Sequence, residues 1–240
     1  MKMIRSLCIV LSVLAASAGA CSADEASVRQ TVEARFGVKV EEVTKTTFAG
    51  LYEVRLGEEI VYTDERVSYL MVGNLIDGKT RENLTDARRE KLSTIKFDDL
   101  PLDAAIKTVR GNGRTTLAVF ADPNCGFCKR MERDLAAMSD VTIYTFLYPI
   151  LDASNNGDSM RKSKAIWCAK DRSKAWFDLM LKNVSPIMMG NCDTTALQRN
   201  LELGQKLGIS GTPTSFVRSG QRIVGARSSD VRKAVEVAKN

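Results

Sequence analysis

Two cysteines separated by two residues, Cys125-Gly126-Phe127-Cys128, stand between an apolar, β-prone run (Thr115 to Phe120) and a segment with helical spacing at Met131, Leu135 and Met138. No other feature constrains the chain as strongly. Two intervening residues let the sulfurs meet at the start of a helix, closing a small, reducible ring. The first sulfur then faces unpaired backbone N–H groups and the positive end of the helix dipole, which stabilise a thiolate and lower its pKa. The second, inside the first turn, is expected to be less exposed; it can attack a mixed disulfide and release the partner. Cys125 is therefore the expected nucleophile and Cys128 the resolving thiol, with Gly126 and Phe127 between them. A Cys₄ zinc site is the competing reading, but the remaining pair, Cys168 and Cys192, is spread over 24 positions where such a site usually has a second close pair. A purely structural 125–128 bridge would constrain little unfolded chain. Neither a metal nor a cofactor is expected.

The chain contains no histidine. That removes Ser-His-Asp and Cys-His catalysis, His-ligated zinc and haem, and imidazole proton shuttling. The net charge of +6 is small for 240 residues, and no basic run carries interleaved aromatics, so nucleic acid is not an expected partner. With 44% hydrophobic and 27% charged residues the chain can build a core, and its length suits one large domain or two small ones.

Residues 1–20 read as a secretory signal: Lys2 and Arg5, an apolar stretch from Leu7 to Ala16, then the small residues Ala18-Gly19-Ala20. The stretch is shorter than the roughly 20 residues a membrane span needs. Export implies an oxidising compartment, and the periplasm is the expected address. Cleavage after Ala20 would leave Cys21 first, in a setting similar to a lipoprotein signal but without Leu three residues earlier. Cleavage after Ala23 would discard it, so lipidation of Cys21 stays open.

Residues 21–80 read as a small α+β domain. A helix is expected over 23–36, followed by three alternating runs at 51–56, 59–63 and 68–72 with turn residues between them. Alone it would bury little surface, so a partner is expected, the rest of the chain or a second copy. Residues 81–100 are charged, with only Leu84, Ala87, Leu92 and Ile95 apolar in the helical part, and read as a linker helix or a surface helix of the first domain. Residues 101–240 alternate: strand 115–120, helix 125–138, strand 141–148, two helices over 159–183, a helix over 194–207 with Asp193 as candidate N-cap, a hairpin across Ser219-Gly220, and a closing helix. That is an α/β fold with a helical insertion.

Cys168 and Cys192 flank the insertion. Pairing is the default in an oxidising compartment, although four cysteines allow three connectivities. A reactive Cys168 is the alternative, but Ile166-Trp167-Cys168-Ala169 reads as a buried, inert setting. Ser210-Gly211-Thr212-Pro213-Thr214 precedes a strand, where a proline is tolerated at the first position.

The order of these elements resembles the thioredoxin superfamily, in which a cis-proline loop lies against the Cys-x-x-Cys; Thr212-Pro213 matches that loop. The wider layout resembles the bacterial periplasmic disulfide isomerases of the DsbC/DsbG family: signal peptide, small N-terminal domain, charged linker helix, Cys125-Gly126-Phe127-Cys128, a distal cysteine pair and Gly211-Thr212-Pro213. Motifs between Pro101 and Gly225 carry the resemblance; for residues 24–96 it rests on size and position. Gly126, where the DsbG pattern has Pro, places the chain nearer DsbC, and Phe127 departs from the usual Tyr. The resemblance implies a thioredoxin-like catalytic domain behind an N-terminal dimerisation domain, and a homodimer with a cleft for misfolded, disulfide-containing exported proteins. It also implies Thr212 and Pro213 beside the substrate backbone, a Cys168–Cys192 structural disulfide and a DsbD-type membrane thiol reductase as electron donor. The implied activity is disulfide isomerisation with chaperone activity. A simple oxidase or reductase, and a redox-independent chaperone, are the alternatives.

Overall fold

The computed structural model describes residues 23–188 and 190–237, in two compact units that divide after Asn74. The leader and Cys21 lie outside the described residues.

In the first unit, α1 (Ala23–Phe36) precedes four strands, β1 (Glu42–Lys45), β2 (Tyr52–Leu56), β3 (Glu59–Thr63) and β4 (Leu70–Val72), paired antiparallel in chain order. Val28 and Val32, one helical turn apart, present one buried stripe of α1 to Val43, Tyr52, Val54, Val61 and Val67. The β2–β3 register places Leu56 opposite Glu59, leaving a two-residue turn whose Gly57 has φ +64°. Such hairpin turns need a left-handed residue, which glycine adopts without a Cβ clash. The sequence reading has three strands here; β1 is the fourth, and it buries only Val43.

The second unit begins with α2 (Leu84–Ser93), where the Asn83 side chain caps the helix by accepting from Asp86 N–H at 3.0 Å. The unit boundary falls earlier than the expected 80/81 division, so this charged helix lies within the second unit. Ile95 N–H donates to Gly220 O at 3.1 Å. A Cβ on Gly220 would stand 1.8 Å from Ile95 O, so only glycine admits this approach.

A five-stranded sheet follows, built of β5 (Ile106–Arg110), β6 (Thr115–Ala121), β7 (Val141–Leu147), β8 (Thr214–Val217) and β9 (Arg222–Val224) in the order β5-β7-β6-β8-β9. β6 and β7 are parallel, joined by α3 (Gly126–Ala136); the other pairs are antiparallel. Between β7 and β8 lie α4 (Asp158–Trp167), α5 (Arg172–Lys182) and α6 (Thr195–Lys206), and α7 (Ser228–Val237) closes the unit. β6 is buried on both faces, which explains its almost unbroken apolar run. Leu117, Val119 and Ala121 face a core with Met131, Leu135 and Trp176. Ala118 and Phe120 face a second core with Phe146, Tyr148 and Phe216.

Two sequence expectations need correction. β5 has no counterpart among them: it pairs along β7 at the sheet edge and fully buries only Ile106, so it carries little apolar signal. The N-cap of α6 is Thr194 rather than Asp193; Asp193 instead accepts the Thr195 N–H at 2.8 Å from one position earlier.

Candidate active site

The central strand β6 ends at Ala121, and the chain turns through three residues before Cys125, the residue preceding α3. The turn is organised by Asp122, whose carboxyl is fully buried. One oxygen accepts Asn124 N–H (2.8 Å) and the Ser159 hydroxyl (2.7 Å); the other accepts Leu151 N–H (3.0 Å). A buried carboxylate with three donors is satisfied, and it fixes the turn. Asp122 O accepts from Cys125 N–H at 3.1 Å, which places Cys125 at the N-cap of α3 with φ −73° and ψ 116°.

At that position the sulfur does what a capping oxygen would do. Cys125 Sγ accepts the Cys128 backbone N–H at 3.1 Å, and the Cys125 thiol donates to Thr212 O at 3.3 Å. The Thr212–Pro213 bond is cis. The structure thus brings Cys125, Cys128 and Thr212 together from two segments far apart in sequence, with Pro213 bonded to Thr212. Gly126 and Phe127 lie on the outer side of the first turn; Phe127 is 63% exposed, while Cys125 and Cys128 are free and buried at 5% and 2%.

The two thiols differ in acidity. A hydrogen bond from the Cys128 thiol is the main cause that lowers Cys125 to about 6; the Thr212 side chain and the backbone N–H groups of Cys128 and Phe127 add to it, outweighing burial. Burial first, and then the Cys125 sulfur, push Cys128 far above the ordinary thiol range. Cys125 is thus mostly thiolate at neutral pH, while Cys128 holds its proton.

Beyond the motif lies a polar cluster that the sequence reading misses. Asn124 reaches Asp158 and Ser159 at the start of α4, and Lys162 one turn further. These partners stand 34 to 38 positions away, so periodicity gives no sign of them. The local signal was Asp-Pro-Asn before Cys125, the composition of a side-chain-stabilised turn.

Cys168 and Cys192 are joined in a disulfide across 24 positions. Cys168 is the C-cap of α4 and is half-buried rather than enclosed; beside it Trp167 Nε1–H donates to Asp193 O at 3.0 Å. Among the described residues no group of three or more Cys, Asp or Glu side chains is arranged to hold a metal ion, and no helix is long and apolar enough to cross a membrane.

Comparison with known proteins agrees with this geometry. Residues 102–237 match the model of a thioredoxin-like domain, and residues 19–86 match that of the disulfide bond isomerase protein N-terminal domain. A probable thiol:disulfide interchange protein DsbC of Bordetella parapertussis is 44% identical over 209 residues, covering 87% of this chain and 72% of that one. The thiol:disulfide interchange protein DsbC of Escherichia coli is 27% identical over 221 residues, covering 90% and 89%. The crystal structure of a disulfide interchange protein from Neisseria gonorrhoeae superposes with a TM-score of 0.52 at 40% identity, covering 56% of this chain and 98% of that one. The lipid-anchor reading of Cys21 gains no support from these relatives. With both of its domains matched in their expected order, the chain belongs to the DsbC family of thiol:disulfide interchange proteins, enzymes of the protein disulfide isomerase class.

Proposed function

We propose that this chain rearranges incorrect disulfides of exported proteins in the periplasm through Cys125 and Cys128. The observation that carries the reading is the Cys125 sulfur, held at the start of α3 by the Cys128 N–H at 3.1 Å and beside Thr212 O. The Cys125 thiolate attacks a substrate disulfide; that S–S bond breaks, a Cys125–substrate disulfide forms, and the displaced substrate thiolate takes a proton. A second substrate thiolate then attacks the mixed disulfide. This forms a new substrate bridge and returns Cys125 as thiolate, with no net electron transfer. In the competing route Cys128 loses its proton and attacks Cys125. The substrate leaves reduced by two electrons and the enzyme holds a 125–128 disulfide, which a DsbD-type membrane thiol reductase would have to reduce. Burial, the part of the Cys128 shift that persists once Cys125 is tied in the mixed disulfide, disfavours its thiolate and slows this second route.

Dimerisation through the N-terminal unit is part of the proposal. β4 is an edge strand of that unit's sheet, and Tyr69, Met71 and Val72 expose apolar surface along it. An unpaired apolar edge favours association with another chain. Chaperone activity is supported by the exposed Phe127, Val184 and Ile187.

The test is reactivation of a scrambled multi-disulfide protein by the pre-reduced chain in glutathione buffer. Restored activity that Cys125→Ser abolishes is expected. Rapid oxidation or reduction of simple dithiols without reactivation would replace this reading by a plain electron-transfer role. Suppression of aggregation that survives Cys125→Ser with Cys128→Ser would establish the chaperone activity separately.

A further inference from the structure

We propose that Asn124 and Lys162 are positioning residues for thiol exchange: the first two turns of α4 grip the Asn124 side chain and thereby fix where the Cys125 sulfur sits at the start of α3. The proposal rests on the reading of Cys125 as nucleophile.

Asn124 precedes Cys125 directly, so its conformation sets the direction from which the Cys125 backbone enters the helix. Its amide is engaged on both sides. The Nδ2 group donates to Asp158 Oδ2 at 2.9 Å and to Ser159 Oγ at 3.1 Å, and Oδ1 accepts from Lys162 Nζ at 2.7 Å. An ammonium only donates and a carboxylate only accepts, so the amide fits in one orientation. The partners are held in turn. Lys162 Nζ pairs with Asp158 Oδ2 at 2.7 Å, with the Lys162 side chain 17% exposed. Ser159 Oγ donates to the buried Asp122 carboxyl at 2.7 Å and accepts from Asn155 Nδ2 at 2.7 Å. Asp122, Asn124 and three residues of α4 therefore form one closed network around the turn that presents Cys125, and a network of this kind loses more than one bond when one member is removed. The Lys162 contact first, with those of Asn124 and Arg161, holds Asp158 at about 2, so its carboxylate stays charged over the whole range in which a thiol titrates.

Releasing the turn lets the Cys125 sulfur drift from the Cys128 N–H. The expected consequence is a less acidic thiol, and the test reads it directly. The reduced full chain is alkylated across pH, the modified cysteine is located by mass spectrometry, and the pH midpoint is compared among variants. Wild type is expected to react first at Cys125 with a midpoint near 6. Lys162→Met and Asn124→Ala are each expected to raise the midpoint by roughly half to one unit. Below both midpoints the rate falls by less than the thiolate fraction does, about threefold for a full unit, because a more basic thiolate is a better nucleophile. Lys162→Arg, which keeps a cationic donor, should restore most of the wild-type midpoint. The double variant should shift no further than either single one, since both break the same grip.

Lower thermal midpoints with an unchanged pH midpoint would make the network merely structural and overturn the proposal. A shift in Lys162→Met but none in Asn124→Ala would assign the effect to the ammonium's field and also overturn it. Wild type reacting first at Cys128 would instead overturn the nucleophile assignment itself, a failure distinct from the others.

Discussion

The first members of the two cysteine pairs in the second unit occupy opposite ends of helices, and on the proposed reading that difference separates chemistry from scaffolding. Cys125 is the N-cap of α3, where its sulfur accepts a backbone N–H and its charge is favoured by the helix dipole. Cys168 is the C-cap of α4, beside the carbonyl end, where a thiolate would be disfavoured. The first pair is three positions apart and free; the second closes a bridge across 24 positions. A short ring constrains little unfolded chain and exchanges readily, whereas a long one removes many unfolded conformations. Helix end and loop length thus predict opposite responses to removal of the two pairs.

The largest effect that separates them is on stability. Cys168→Ala with Cys192→Ala should lower the unfolding free energy by about 3.5 kcal/mol, the chain-entropy value for a loop of this length. Denaturant titration would read it directly. At 25 °C the folded variant should keep the wild-type pH midpoint for Cys125 alkylation, because Asp158, Ser159 and Lys162 lie at the other end of α4 from Cys168. Removing Cys125 and Cys128 should do the reverse, abolishing exchange while changing the oxidised-state loop constraint little. A matching loss of stability from both pairs would break the contrast.

The same contrast explains what could be read from sequence. Cys125 and Cys128 were legible in residue type and local spacing, whereas Thr212 and Pro213 were reached through the resemblance of their loop to the thioredoxin superfamily; the structure brings Thr212 O beside the Cys125 sulfur. The core strands β6 and β7 were legible too, because both faces of β6 must be apolar and the run stands out. Both strands that escaped notice, β1 and β5, are sheet edges that each fully bury one apolar side chain. The edge strand β9 was legible because a Ser-Gly turn marks its hairpin. The network around Asn124 was illegible for a different reason. Asp158, Ser159 and Lys162 form an ordinary helix start with charged residues, and only the fold brings them to the turn before Cys125.

A smaller effect sharpens the electrostatic half of the comparison. Cys125 is lowered from 9.0 to about 6 in the folded protein. Below pH 6 it is protonated folded and unfolded, and contributes nothing. Between 6 and 9 it is ionised only when folded, so stability rises with pH; above 9 the gain is complete. As pH falls from 9 to 6 the contribution is lost. The reduced wild type should therefore gain thermal stability relative to Cys125→Ser between pH 6 and 8.5. Cys128, shifted the opposite way, offsets the gain only above the ordinary thiol range. Parallel curves for the two proteins over this interval would mean that neither the Cys128 thiol nor the N–H groups at the start of α3 stabilise a Cys125 thiolate.

The smallest expected effect concerns Phe127, which lies inside the reactive motif yet is 63% exposed and contributes little to the core. Phe127→Ala should change stability by no more than about 0.5 kcal/mol, as for most surface substitutions. A ring held out beside the reactive sulfurs offers apolar surface to an incoming chain, and its removal should weaken that contact by about 1 kcal/mol, or about fivefold in KM for an unfolded protein substrate. A small dithiol has nothing to lay against the ring and should exchange at the wild-type rate. Equal slowing of both substrates would mean that Phe127 acts on the sulfurs themselves. Slowing of the protein alone would mean that the motif joins two functions in four residues, with Cys125 and Cys128 exchanging bonds and Phe127 helping to hold the chain in which they are exchanged.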